Sequence, residues 1–532
     1  MKYQRHLLRG GAVAFGLCVA FAAAGEFGGA SRADGRDKSL QKAEKALKAG
    51  EFEEAEKLFR EILAREKRDS EARLGLSRAL LKQRKYQDAF DHAARVLADD
   101  PTSYRAHSLI GAALLGAGDF QVSVEEFRTA LQFKDDDAMA VAGLGMVDFY
   151  ENRLSSSLAR LRRAAFIDAD EPDYQFNLGQ VAARSERYEE AANAYERFLR
   201  VAPRNDTDRR ERIRGLIEFL HYLGTQNTLM RTEGTSRGVV PFDLVNNRPI
   251  VNVRVNGAKE TMRFVIDTGA GMCVLSTRAA DRIGLHPVAR GGYGRAIGGG
   301  GRFEIVYGFL QSLHIGEARV ERVPVYIREF FNAQEPVDGY IGLSLLSKYV
   351  TTVDYGTHEM QMLRGDAVPE YKQGETPPGV AIPIRVTSSG FWSGEVSFEG
   401  LEKPVNFIID TGASISVVAR AHAERAGFLR YQQPVRIRVY GAAGLAEDVP
   451  TISLPSIRFG PHTHRDVTAA VLEMDPINET SGFEQAGIVG GNILRNFRDT
   501  FDFSRAVVRL EPLVYLPRDE GRTGEQVLAP QP

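Results

Sequence analysis

Two acids in this chain stand in surroundings that match almost residue for residue. Phe264-Val265-Ile266-Asp267-Thr268-Gly269-Ala270 returns as Phe407-Ile408-Ile409-Asp410-Thr411-Gly412-Ala413. In each copy an apolar strand runs into the acid, and a second apolar run follows the turn, Met272–Leu275 and Ile415–Val418. A carboxylate at the end of an apolar strand is costly to desolvate unless something stabilises it. Two copies imply that the acids meet and share a proton. Such a pair suits general acid–base hydrolysis: the ionised member takes a proton from water while the other protonates the atom under attack.

The frame around each acid repeats as well. Gly257 of Asn256-Gly257 stands ten residues before Asp267, and Gly400 of Glu399-Gly400 stands ten before Asp410. Downstream, Tyr340-Ile341-Gly342 precedes Asp354 by 12 residues from the glycine, and Ile488-Val489-Gly490 precedes Asp502 by the same 12. The offset between copies is 143 at the acids (410 − 267) and 148 at the later glycines (490 − 342). Two homologous lobes with a small insertion account for this. Glycine-rich runs, Gly298–Gly301 and Gly441-Ala442-Ala443-Gly444, each begin 31 residues beyond their acid.

From about Val239 to Leu510 these residues resemble an aspartic peptidase of the retropepsin and pepsin group, with both lobes in one chain. The resemblance implies that Asp267 and Asp410 form the catalytic dyad, braced across the lobe interface by Thr268 and Thr411. Gly269 and Gly412 would permit the close turns, and Gly342 and Gly490 would sit in the segments supporting each loop. Ser414 matches a position that supports its acid from outside; lobe one departs there, with Gly271. Gly298, Gly299, Gly300, Gly301, Gly441 and Gly444 are the flap candidates, expected to cover the substrate and exclude water. Ala270 and Ala413 stand where pepsin-like enzymes tend to carry a hydroxyl. Without that donor the dyad is expected to titrate higher, with an optimum from mildly acidic to neutral pH. Neither glycine run has the Lys-Ser/Thr ending of a phosphate loop. The chemistry requires no cofactor and no metal, and His462 and His464 lack the companions of a metal site.

Something must position these lobes, and the front half of the chain is a different repeat. Ala55, Ala89, Ser123, Ser157 and Ala191 are small residues spaced 34 apart, followed four positions later by Phe59, Ala93, Phe127, Leu161 and Tyr195. Gly111, Gly145 and Gly179 keep the same period. The pattern looks like five tetratricopeptide repeats, each a pair of amphipathic helices that buries its apolar face only by stacking on its neighbours. Asp206–Gly224 reads as a capping helix with Ile213, Leu216, Ile217, Leu220 and Leu223 on one stripe. The fold expected is multidomain: an all-α repeat superhelix over 38–224, a linker over 225–238, and a mostly β bilobal domain. Its lobes cover 239–375 and 380–515, and 516–532 is a tail.

The chain of 532 residues holds two to four domains on length alone. Its net charge of −2 gives no electrostatic case for nucleic acid. Lys2, Arg5 and Arg9 precede an apolar run from Gly10 to Ala24, the layout of a signal peptide cleaved near Ala24. Export to a periplasm or the exterior is therefore expected, with membrane attachment only if that segment stays uncleaved. The processed chain would keep one cysteine, Cys273, in an apolar run that suits a small buried hydrophobe. The leading expectation is an exported aspartic endopeptidase acting on peptide or protein substrates, with the repeat groove recruiting substrate or partner proteins. Its rival is an inactive pepsin-like peptide-binding module presented on the repeats, and Gly271 is the feature that leans that way.

Overall fold

A computed structural model describes residues 29–226, 228–298, 300–331, 336–368, 378–399 and 401–513. The expected signal segment 1–24, the tail 516–532, Gly299 and Gly400 lie outside the described residues. Among those described, no helix is long and apolar enough to cross a membrane.

The 34-residue period becomes five helix pairs. They are α1 (Gly29–Lys48) with α2 (Phe52–Arg65), α3 (Ser70–Lys82) with α4 (Tyr86–Asp99), α5 (Tyr104–Ala117) with α6 (Phe120–Phe133), α7 (Ala138–Tyr150) with α8 (Leu154–Ile167), and α9 (Pro172–Arg184) with α10 (Tyr188–Val201). The turn inside each pair passes through left-handed backbone at Gly50, Arg84, Gly118, Asn152 and Glu186, again 34 apart, although only two of the five are glycine. Small residues let the helices touch: the Ser123 and Ser157 hydroxyls donate to the carbonyls of Gly111 and Gly145 at 2.8 and 2.7 Å. A Cβ on Gly111 would lie 2.8 Å from the buried ring of Phe127. The capping helix α11 (Thr207–Thr225) closes the array.

The array curls back on itself. Arg78 and Lys82 of α3 pair with Glu171 at 2.5 and 2.8 Å, and Lys82 with Asp173 at 2.5 Å, tying the second unit to the fifth. Asn205 Nδ2 also donates to the carbonyl of Gly50 at 3.0 Å.

The β half is built about a six-stranded antiparallel sheet to which each lobe gives three strands. Its order is Val380–Val386, Val507–Pro512, Phe497–Asp502, Val350–Asp354, Glu359–Leu363, Arg237–Pro241. The lobes meet where Thr352 lies opposite Thr500. Each lobe then builds its own sheet, in which the strand leading to the acid pairs in parallel with the supporting strand. Met262–Ile266 lies beside Gly339–Ile341, and Val405–Ile409 beside Gly487–Val489.

The segment 225–238, expected as a linker, is drawn into this architecture. Arg231–Glu233 pairs with the strand Ala318–Arg328, and Arg237 begins the edge strand of the six-stranded sheet. Leu229 and Met230 are buried just before it, which pins a stretch whose polar composition alone suggests freedom.

From the end of α5 onward the repeats share a hydrophobic core with the lobes, while the first two units pack into clusters of their own. Phe120 and Tyr150 pack edge-on against Phe483 at 4.9 and 5.0 Å, and Phe219 of α11 stacks on Tyr307 at 4.4 Å. The backbones approach so closely that a Cβ on Gly215 would lie 2.3 Å from the carbonyl oxygen of Gly291.

Candidate active site

Each acid begins the turn after its strand, its backbone N–H donating to the supporting strand: Asp267 to Ile341 at 3.1 Å and Asp410 to Val489 at 3.0 Å. The two turns are locked together by a four-bond exchange. Thr268 N–H donates to Thr411 Oγ1 at 3.1 Å, and Thr411 N–H to Thr268 Oγ1 at 3.0 Å. The hydroxyls then donate across the interface, Thr268 to the Ile409 carbonyl at 2.8 Å and Thr411 to the Ile266 carbonyl at 2.6 Å. Both threonines are buried, so every bond in the exchange satisfies a group that water cannot reach.

This grip brings the carboxyls of Asp267 and Asp410 into hydrogen-bonding contact. Each lies against the glycine of the opposite lobe. A Cβ on Gly269 would be 2.3 Å from Asp410 Cγ, and one on Gly412 would be 2.6 Å from Asp267 Cγ. Any side chain there would drive the acids apart.

Burial pushes both carboxyls above the ordinary range, and the charge of Asp410 raises Asp267 further. The two are not equally held. Asp410 Oδ1 accepts from Gly412 N–H at 2.8 Å and Ala413 N–H at 3.1 Å, whereas among the described residues Asp267 Oδ1 accepts from one backbone N–H, that of Gly269 at 2.8 Å. The extra donor favours the charge on Asp410 and the shared proton on Asp267.

Ser414 is placed beside the dyad loop but turns out differently from expectation. Its carbonyl accepts from Asn247 Nδ2 at 2.9 Å, and among the described residues no hydrogen bond runs from its hydroxyl to Asp410; the Ala413 N–H fills that place. The departure at Gly271 has a steric reason. A Cβ there would lie 2.9 Å from the carbonyl oxygen of Ser389. The hairpin tip of lobe two rests on the dyad loop of lobe one, as Asn247 of lobe one rests on the loop of lobe two.

Gly342 and Gly490 sit where the supporting strands meet the runs after the acids. Gly342 N–H donates to Cys273 Sγ at 3.4 Å, and Gly490 N–H to Ser416 Oγ at 3.1 Å. Cys273 and Ser416 are 143 apart, the offset of the acids, so the lone described cysteine serves as a buried acceptor. Burial pushes its thiol up to about 11.

The glycine runs form hairpin tips that meet. In lobe one the hairpin joins Ala289–Arg295 to Arg302–Ile315; in lobe two it joins Gln432–Gly441 to Gly444–Phe459. Ala443 N–H donates to the Ile297 carbonyl at 3.2 Å. A Cβ on Gly298 would lie 2.1 Å from the Gly444 oxygen, and one on Gly441 would lie 1.9 Å from the Ile297 oxygen. Gly301 N–H closes its own tip onto the Gly298 carbonyl at 2.9 Å, and Gly300 faces open space.

Two features escape the motif. Arg328, at the end of its strand, stands beside Tyr340, Phe303 and Phe330 and donates to the carbonyl of Ala442 in the lobe-two tip at 3.3 Å. Asp499 lies buried in the six-stranded sheet with neither oxygen hydrogen-bonded among the described residues. Neither belongs to a repeated frame, which is why spacing does not reveal them. His462 and His464 pack on the ring of Phe497, and no cluster of three metal-ligating side chains is assembled among the described residues.

Comparison with known families agrees with this division. The aspartyl protease family matches residues 251–345 and again 394–493, one segment for each lobe. Tetratricopeptide repeat families match residues 46–113 and 172–205. The chain thus carries tetratricopeptide repeats followed by two aspartyl protease segments. A curated relative, the BBSome complex member BBS4 of Bos taurus, is 22% identical over 158 residues, covering 30% of this chain and 30% of that protein's length. Among solved structures, a thermophilic TPR protein of Thermus thermophilus is 21% identical and covers 33% of this chain and 95% of its own, at a TM-score of 0.29. MamA from Desulfovibrio magneticus is 23% identical, covering 32% of this chain and 96% of its own, at a TM-score of 0.23.

Proposed function

We propose that this protein is an aspartic endopeptidase, exported after removal of the segment ending near Ala24. The observation that carries the reading is the hydrogen-bonded pair Asp267–Asp410, held by reciprocal threonine bonds beneath two meeting hairpin tips. A peptide would lie between the dyad and the tips. Asp410, as carboxylate, takes a proton from a water held between the acids while that water's oxygen bonds to the peptide carbonyl carbon. Asp267 gives its proton to the carbonyl oxygen. Asp410 then gives the proton it took to the leaving nitrogen as the C–N bond breaks, and Asp267 takes a proton back from a hydroxyl of the collapsing tetrahedral centre, releasing an acid and an amine. The reaction proceeds without a covalent enzyme intermediate.

The repeats support this site in a second way. The array rests on parts of the lobes that touch the site: α11 on the lobe-one flap strand, and Tyr150 beside Ser388 in the hairpin that covers Gly271. Protein partners recognised by the repeats would therefore act on flap and dyad as well as recruit substrate.

The test is cleavage of an unstructured protein by the Ala24-processed chain between about pH 3 and 8, spanning ordinary and raised carboxyl titration. A statine-type transition-state analogue serves as the control. Analogue-sensitive cleavage is expected; binding of the analogue with no cleavage at any pH would favour the inactive peptide-binding module.

A further inference from the structure

Arg328 is a cation that makes no direct ion pair among the described residues, although its charge and that of Asp267 in the dyad act on one another. It ends the strand Ala318–Arg328, and its guanidinium lies 4.9 Å from the ring centroid of Phe330, 5.6 Å from that of Tyr340 and 5.8 Å from that of Phe303. Its Nη1 donates at 3.3 Å to two backbone carbonyls, Glu329 and Ala442, and Tyr340 takes a further side-chain bond. A guanidinium has five donors in a planar fork, and the contacts among the described residues use three of them.

Arg328 is half-buried, and a carboxylate partner there is worth more than at an open surface. The aromatic faces hold the fork in one orientation. Arg328 is also placed where a ligand must pass. Tyr340, beside it, directly precedes Ile341, whose carbonyl accepts the backbone N–H of Asp267. Ala442, on its other side, belongs to the tip of the lobe-two flap. The guanidinium thus spans the gap between the dyad floor and the cover.

From this placement we infer that Arg328, framed by Phe303, Phe330 and Tyr340, is a specificity-determining residue that receives a carboxylate of the substrate. The peptidase therefore selects peptides with Glu or Asp close to the bond it cuts. The inference rests on the aspartic peptidase reading and names its substrate class. A flat, bidentate acceptor such as a carboxylate matches the fork geometry. The same pairing would draw the lobe-two tip, through Ala442, onto an occupied cleft.

The experiment uses the processed full chain and matched fluorogenic peptides that differ only by Glu or Gln at successive positions from three residues before to three after the scissile bond. At one position the Glu peptide should exceed its Gln twin by about 10–100-fold in kcat/KM, the range set by one charge-assisted pair. Arg328→Met, which keeps the stem within the aromatic frame, should bring that ratio to about one, chiefly through KM. Arg328→Lys should restore part of it. A wild-type ratio near one at every position would overturn the assignment, as would an Arg328→Met variant that keeps the preference. The same peptides are also titrated against Asp267→Asn by calorimetry. A Glu-over-Gln affinity difference that Arg328→Met abolishes supports the carboxylate site even if no peptide is cleaved, whereas equal affinities contradict it. Loss of the peptidase reading and loss of this one are therefore told apart.

Discussion

Thr352 and Thr500 face each other across the central sheet with their hydroxyl oxygens 2.9 Å apart. Their separation in sequence, 148 residues, is the offset between Gly342 and Gly490, so the pseudo-twofold axis relating the lobes passes between them. The two acids, the supporting glycines and the meeting hairpin tips are arranged about the same relationship. Equivalent residues on either side of such an axis must answer mutation in similar ways unless a named contact breaks the symmetry.

The threonine exchange is the first place to look. Thr411 Oγ1 donates to the Ile266 carbonyl and accepts from Thr268 N–H, so Thr411→Val strands two buried groups. Each costs about 1–3 kcal/mol, and the thermal midpoint should fall by about 2–4 °C for each kcal/mol lost. Thr411→Ser should keep most of the stability. Calorimetry that finds the Val and Ser variants equal would remove the grip from the account.

Gly271 gives a prediction of opposite intuition. Gly271→Ser makes lobe one more like lobe two, where Ser414 follows Ala413, yet its Cβ would press within 2.9 Å of the Ser389 oxygen. The expected result is a destabilisation of about 1–3 kcal/mol from overpacking, with lower activity. A variant as stable as the parent, or more active, would mean that the hairpin at Ser389 does not constrain the dyad loop.

Asp499 sets a pH dependence of stability. Burial, and then the charge of Asp354, push its carboxyl well above the ordinary range. A folded-state value raised above the unfolded value of about 4 means that its favourable contribution is complete below that pH and is lost as pH rises. Asp499→Asn lacks this loss. Its stability relative to the parent should therefore climb between about pH 5 and 8, by up to about 1.4 kcal/mol per pH unit while the native acid stays protonated. A difference that is flat with pH contradicts this.

The capping helix should control the lobe-one flap. Phe219 is fully buried against Tyr307, and Arg295 and Arg302 at the flap reach Asp208 and Glu211 of α11 at 2.5 and 3.1 Å. Phe219→Ala removes about 3–5 kcal/mol of packing at that joint. Amide hydrogen exchange should quicken across 289–315 while α3 to α6 keep their protection. Unchanged exchange in the flap would make α11 a cap for the repeats alone.

The local signals in the sequence translate closely into structure. The apolar strand expected to run into each acid is Met262–Ile266 in lobe one and Val405–Ile409 in lobe two. The paired frames bring Asp267 to Asp410 because a glycine turn after an apolar strand can approach its twin only about an axis. Long-range docking leaves no comparable trace. Phe120, Tyr150 and Phe219 occupy ordinary apolar positions of amphipathic helices, and nothing in their spacing says that they also face Phe483 or Tyr307. The repeat pattern suggests an inner groove open for partners, but Arg78 and Lys82 reach Glu171 and Asp173 across it. Charges 89 to 93 residues apart read as solvated surface until the curvature of the array is known.

The measurement closest to the central claim is steady-state cleavage of one peptide by the parent, Asp267→Asn and Asp410→Asn between about pH 3 and 8, the interval across which raised carboxyls titrate. The account predicts a parent profile peaking from mildly acidic to neutral pH, with each variant reduced about a thousandfold or more while still folded. Substantial turnover in either variant, or a parent optimum below about pH 3, under the ordinary carboxyl range, would show that this pair does not carry the reaction.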